Sequence, residues 1–262
     1  MEHVLITGST RGIGFGLAQR FIEAGLRVTI NGTTQNGIQE AISELSSKYP
    51  SARVQGYVCD VSNYSEVENL WEKAIKQFGN IDLWINNAGI DQSRKLVWEM
   101  NETEISQIVD INIKGVMNGS TVAFSKMLLQ GGGQIFNMEG FGSDGMIMEK
   151  MTLYGTTKRA VQYFTQSLAK EAAKTSVKVG TLSPGMVLTD ILLNSLKSNP
   201  AEAKSNKRIF NILADKVETV TPFLCTKMLK NTKNNTHIKW LTKSKVMMRF
   251  LLSGIYKRKL IW

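Results

Sequence analysis

Histidine and cysteine are scarce in this chain, two of each in 262 residues, and the scarcity narrows its chemistry before any motif is found. His3 and His237 are too few to build a zinc centre or a Ser-His-Asp triad, so hydrolysis through a histidine is not expected. Cys59 and Cys225 lie far apart and in no CxxC or metal-type spacing, which reads as two reduced, buried thiols and a cytoplasmic setting. No run of 18 or more apolar residues is present, so no transmembrane helix is expected. "MEHVLITGST" enters a strand almost at once, without a basic n-region or an h-region, and predicts a protein that stays where it is made. There are only four prolines, no Pro-rich linker, no low-complexity tract and no internal repeat, and the length fits one folded unit. Acid is also missing from one region. Beyond Glu218 there is no carboxylate side chain but ten lysines and arginines, so the net charge of +10 belongs to the C-terminal end and the body is neutral.

What is present is an alternation. "HVLITG" (3–8), "RVTING" (27–32), "RVQGYVCDV" (53–61), "IDLWINNAG" (81–89), "GQIFNME" (133–139) and "VKVGTLSPG" (177–185) read as buried strands. Between them lie segments with apolar residues at helical spacing, such as Val67, Leu70, Trp71 and Ala74, and longer ones from Glu104 to Leu129 and Thr152 to Lys174. Strand and helix in turn imply an α/β fold, a doubly wound parallel sheet of about seven strands with helices on both faces and ligands at the carboxyl ends of the strands. "HIKWLT" (237–242) reads as the seventh, edge strand. The expected organisation is a catalytic domain over 1–242, with 190–236 as a substrate lid, followed by a basic amphipathic tail over 243–262.

The first strand runs into "TGSTRGIG", whose Gly8, Gly12 and Gly14 would let the backbone turn sharply beneath a pyrophosphate while the next helix offers its amides to the anion. The spacing is GxxxGxG, not the commoner GxGxxG. Further on, "LYGTTK" (153–158) sets Tyr154 four residues before Lys158. On a helix the two share a face about 6 Å apart, close enough for the ammonium to favour the phenolate and lower the phenol's pKa.

Taken together, "TGSTRGIG", "CDV" (59–61), "NNAG" (86–89), Tyr154 with Lys158, and "SPGMVLT" (183–189) agree in type, order and spacing with the short-chain dehydrogenase/reductases, which the chain resembles along nearly its whole length. The resemblance implies a Rossmann-type sheet and a nicotinamide cofactor. It implies that Lys158 binds the nicotinamide ribose and, with the oxidised ring, depresses the pKa of Tyr154, the proton donor to a carbonyl. Asn112, in "INIKG", would hold a water that links Lys158 to solvent. The glycine loop would bind through Gly8, Ser9, Arg11, Gly12, Ile13 and Gly14. Asp60 and Val61 would face the adenine, while Asn86, Ala88 and Gly89 would line the floor. Pro184, Gly185, Val187 and Thr189 would close over the carboxamide. A homodimer or homotetramer is the family's usual assembly. The family's strand-end serine, thirteen residues ahead of its tyrosine, is missing: Glu139 and Gly140 stand in its place, position 141 is Phe, and Ser143, the nearest hydroxyl, is the candidate to hydrogen-bond the substrate carbonyl in its stead.

The second strand ends in Asn31, Gly32, Thr33 and Thr34 without the acid that NAD enzymes of this type use for the ribose, and Arg11 resembles the base that meets a 2'-phosphate, so NADP(H) is expected over NAD(H). "IFNMEGFGSDG", "YGTTK", "SPGMVLTD", "FNI" (210–212) and "ETV" (218–220) look most like the chlorophyll b reductases, which reduce a formyl group to hydroxymethyl. The substrate so implied is a bulky apolar carbonyl. A 3-oxoacyl or steroid-type reductase is the alternative within the family, and a nucleotide-sensing or membrane-scaffold protein the alternative outside it. For the tail two readings stay open. Val246–Leu252 with its basic flanks has the composition of an interfacial helix at an anionic membrane; alternatively Met247, Phe250 and Leu251 pack on the body or a second subunit and leave the lysines solvated. No nucleic-acid recognition motif accompanies the charge.

Overall fold

The computed structural model describes residues 1–190, 192–194, 200–255 and 258–260. Residues 191 and 195–199 of the expected lid and 256, 257, 261 and 262 of the expected tail lie outside the described residues. Seven strands, β1 (His3–Ile6), β2 (Arg27–Gly32), β3 (Val54–Val58), β4 (Leu83–Asn86), β5 (Gly133–Met138), β6 (Val177–Ser183) and β9 (Thr236–Lys239), form one parallel sheet in the order 3-2-1-4-5-6-9. Val4 sits between Val28 and Leu83 in the register, so the chain winds outward from β1 on one side, then returns and winds outward from β4 on the other. The crevice where the order reverses is where a ligand of such a sheet binds.

Alternation along the strands explains the layers. Val4 and Ile6 point to one face with Val28, Ile30 and Leu83, where α1 (Gly12–Glu23), α2 (Gln35–Lys48) and a helix near the C-terminus, α8 (Val217–Leu229), bury Leu17, Phe21, Leu45 and Leu224 against them. Leu5 and Trp84 point to the other, under α3 (Tyr64–Phe78) and α5 (Gly115–Leu129), with Trp71 stacked on Trp84 at 5.8 Å. Beside them α6 (Thr152–Glu171) packs Ala169 against Val179 of β6. Both faces of each central strand are therefore apolar, as a covered parallel sheet requires. Cys59 and Cys225 are free and buried, and burial pushes both thiols up to about 12.

The segment read as one helix from Glu104 to Leu129 is two, α4 (Glu102–Val109) and α5, joined by a π-helical turn at Asp110–Lys114. Past β6, β7 (Val187–Leu188) pairs with β8 (Asp215–Lys216) in a small second sheet, and α7 (Pro200–Leu213) occupies the interval read as a lid. The tail forms α9 (Lys243–Leu252), and neither reading of it holds as made. Met247, Phe250 and Leu251 do not pack on the body but stay exposed, Leu251 at 74%. Instead two of the basic residues pack. Arg249 and Arg258 both grip the buried carboxylate of Asp215, at 2.8 and 2.7 Å, and Trp240 Nε1 donates to it at 2.7 Å. No helix among the described residues is long and apolar enough to cross a membrane.

Candidate active site

Four carboxyl-end loops meet at the crevice. The turn after β1 approaches the turn after β4 so closely that a Cβ on Gly8, whose φ is +59°, would lie 2.7 Å from the Cα of Ala88. Asn87 ties the two loops together, its Nδ2 donating to the carbonyls of Thr7 and Gly8 at 3.0 and 2.8 Å. From the loop after β6, Thr189 reaches over Gly12. Four helices receive a side-chain cap, from Thr34, Asn63, Asn101 and Thr242, while α1, α5, α6 and α8 receive none. At the N-terminus of α1 exposed Arg11 stands at the cap position. Uncapped amides, an adjacent cation and no acid in the first turn suit an anion, so these residues fit a dinucleotide pyrophosphate.

Two of the residues expected at this cradle face inward instead. Ser9 is fully buried, its hydroxyl donating to the Ile6 carbonyl and accepting from the amide of Asn31. Asn31 accepts from the Gly8 amide at 3.1 Å and donates to the carbonyls of Gly32, Tyr57 and Cys59. Its side chain shapes the glycine turn and has no capacity left for a phosphate. Asn86, expected on the floor, supports it from beneath, bonded to Trp84, Ser120 and Asn137. Thr33 and Asp60 are exposed at the carboxyl ends of β2 and β3, and Asp60 is partly engaged by Ser62.

Tyr154 and Lys158 lie on the first turns of α6, and the ammonium is 5.7 Å from the phenol ring centroid, as the spacing predicts. Lys158 is buried and donates to the carbonyl of Met138, at the end of β5, at 3.2 Å. Asn112 sits in the π turn, fully buried, with its Oδ1 taking the Ile90 amide at 2.8 Å and its Nδ2 reaching the Ile90 carbonyl and Thr157. The turn thus joins the loop after β4 to α6, a use typical of π turns at functional sites. Gly89 lies between Asn112 and Lys158. The phenol oxygen of Tyr154 has no hydrogen-bond partner among the described residues.

In the protein's own field the two pKa values move differently from the sequence expectation. Burial, then the Asp91 carboxylate, raises the Tyr154 phenol, with Arg94 opposing. Burial lowers Lys158 to about 8, with Glu139 and Asp91 opposing. Desolvation is the largest cause for both groups, so Tyr154 holds its proton at neutral pH.

The strand-end residue facing the phenol is Gly140, where any Cβ would overlap the phenol oxygen. Ser143 is buried, with its hydroxyl 3.5 Å from Glu139 Oε2.

Residues 2–199 match the family described as short chain dehydrogenase. The chain belongs to that family. Among the relatives of this dehydrogenase, a probable chlorophyll(ide) b reductase, NYC1, of Arabidopsis thaliana is 34% identical over 97% of the chain and 53% of its own length. The chain therefore spans about half of that relative. A chlorophyll(ide) b reductase, NOL, of the same plant is 36% identical over 92% of the chain and 70% of its own length. A 3alpha-hydroxysteroid dehydrogenase of Mediterraneibacter gnavus is 32% identical over 72% of the chain and 74% of its own length. Of solved structures, levodione reductase superposes with a TM-score of 0.81 at 25% identity, covering 91% of this chain and 95% of that one. ElxO with NADP bound gives 0.78 at 27%, covering 91% and 96%.

As a short chain dehydrogenase the protein has residues that sequence reasoning passed over. Asn87 was visible in "NNAG" but not singled out. Gln92, whose Oε1 accepts the Tyr154 amide at 2.6 Å, carried no signal.

Proposed function

We propose that the protein reduces an aldehyde or ketone on a bulky apolar molecule, using NADP(H) and Tyr154 as the proton donor, and that a chlorophyll b-type formyl group is the first substrate to test. The observation that carries the reading is the phenol of Tyr154, protonated and unpartnered, set beside the buried Lys158 and Asn112 at the crevice of the sheet. The bound cofactor would supply the hydride. Tyr154 gives its proton to the carbonyl oxygen, Lys158 would hold the ribose and its ammonium offsets the negative charge left on the phenolate, and Asn112 fixes the loop at Ile90 against α6. Gly8, Gly12 and the amides of α1 would hold the pyrophosphate, and Thr189 the nicotinamide end. Preference for NADP(H) is supported by exposed Thr33 and Arg11 at the mouth and by the lack of an acid at the end of β2. The chlorophyll(ide) b reductase relatives favour the pigment, and the 3alpha-hydroxysteroid dehydrogenase relative supports a steroid carbonyl as the second reading.

The test follows loss of NADPH, with NADH in parallel, against chlorophyll b, a soluble formyl derivative and a panel of steroid and other bulky ketones. Turnover that vanishes in Tyr154→Phe while NADPH affinity is kept is the expected result. Turnover that survives the substitution would remove Tyr154 from the chemistry. Tight NADPH binding without turnover of any carbonyl would favour the non-catalytic, nucleotide-sensing role.

A further inference from the structure

At the end of β5, where the chain departs from its family, the proposed reaction leaves a buried acid without a task. Glu139 is 3% exposed. Its Oε2 meets Nε2 of His237, on edge strand β9, at 3.0 Å and lies 3.5 Å from the Ser143 hydroxyl. Its Oε1 is buried and has no hydrogen-bond partner. A bare carboxylate oxygen in the interior is unfavourable, so packing alone does not account for an acid here.

Lys158 lies at the same strand end, its side chain packed against Gly140. Lys158 Nζ is bonded to the carbonyl of Met138, the residue immediately before Glu139. Other charged groups at this end are Asp91, from the loop after β4, its ion-pair partner Arg94 at 3.0 Å, and Arg159 of α6, which donates to the Ser143 carbonyl at 2.9 Å. Lys239 of β9 stands 4.0 Å from Asp144 and pins the same loop to the edge strand.

We propose that Glu139 is a positioning residue for the reaction: fixed from the edge strand by His237, its buried carboxylate keeps the Lys158 ammonium charged beside Tyr154 and holds the Ser143 hydroxyl at the strand end. The proposal rests on the role given to Lys158 above. A strand end with a hydroxyl acts on the substrate; this one acts on the lysine. Burial already brings Lys158 down to about 8, and the carboxylate is the largest opposing influence. Removing a negative neighbour favours the neutral amine, so the lysine's midpoint falls further without Glu139.

The test reads the lysine directly. Protein labelled with 13C at lysine Cε is titrated by NMR from about pH 6 to about 11, and the Lys158 signal is assigned by its loss in Lys158→Met. Glu139→Gln is expected to lower the midpoint by about one pH unit. Glu139→Ala should move it the same way, and Glu139→Asp, which keeps the charge, should leave it near the wild-type value. A midpoint that stays in place in both neutral variants, with melting temperature retained, overturns the proposal. A fall that Glu139→Asp shares would also overturn it, because then the side chain's shape and not its charge is at work. No substrate is needed, so the titration is decided independently of the carbonyl reading. Where a carbonyl is turned over, the alkaline limb of kcat/KM should move down in Glu139→Gln by the same interval.

Discussion

Position 140 shows how far one residue can set the limits of a site. The family resemblance suggests that a hydroxyl has been lost there and that restoring it would help. The geometry argues the reverse, because the backbone of Gly140 lies against the Tyr154 phenol oxygen with no room for a Cβ. Gly140→Ser should displace the phenol and lower kcat/KM on the order of 100-fold, the scale expected for a misplacement of about 1 Å, with little change in NADPH affinity. A gain of activity in steady-state kinetics would mean that the loop relaxes and the hydroxyl is tolerated. Cofactor choice is tested at the same scale. Asn31 was expected among the cofactor-binding residues but is spent on three carbonyls and the Gly8 amide, so exposed Thr33 is the position to change. Thr33→Asp should set a like charge beside a 2'-phosphate and reduce the preference for NADPH over NADH at least about tenfold in kcat/KM. An unchanged ratio would place the phosphate elsewhere. Spacing made Tyr154, Lys158 and Asn112 legible in the sequence. The inward turn of Ser9 and Asn31, and the pairing of Glu139 with a histidine on another strand, follow from tertiary contacts that no local pattern encodes.

The strands were the legible elements, because a covered parallel strand is a short apolar run bounded by glycine and polar residues, and all six segments read that way, with the edge strand at His237, enter the sheet. The π turn at Asp110–Lys114 was not legible, since helical periodicity continues through it and only the bonds of Asn112 to Ile90 reveal its purpose. The loop between β5 and α6 was also opaque. Gly142, with φ at +90°, touches the backbone of Gly155 one turn into α6, so that a Cβ would lie 2.5 Å from the Gly155 Cα. Two backbones in contact cannot yield as a side chain can. Gly142→Ala should therefore cost about 1–3 kcal/mol in urea unfolding and shift the loop that carries Ser143. If stability is unchanged, the loop must detach from α6 at little cost, and its placement of Ser143 loses significance.

Over the whole molecule, composition located the excess charge at the C-terminal end but gave no hint of the acid that receives part of it. Asp215 is 2% exposed at the start of β8, within the segment read as a lid. Arg249 and Arg258 bond to its carboxylate, and they also take the carbonyls of Leu213, Ile212 and Ala214 at the end of α7. One buried carboxylate therefore fastens α9 and Arg258 to the end of α7 and, through the pairing of β8 with β7, to the loop that carries Thr189 over Gly12. Asp215→Ala leaves two guanidinium groups and the Trp240 indole without their acceptor, and should cost about 3–5 kcal/mol. Arg258→Ala removes one of three donors and should cost about 1–3 kcal/mol. Because that smaller change leaves the sheet alone, it separates local release from unfolding. Hydrogen exchange should quicken across 243–255 and α7 in Arg258→Ala while the amides of β1, β4 and β5 stay protected. If exchange in α7 is untouched while α9 opens, the tail is fastened to the body without governing the lid, and the coupling drawn from the shared carboxylate fails.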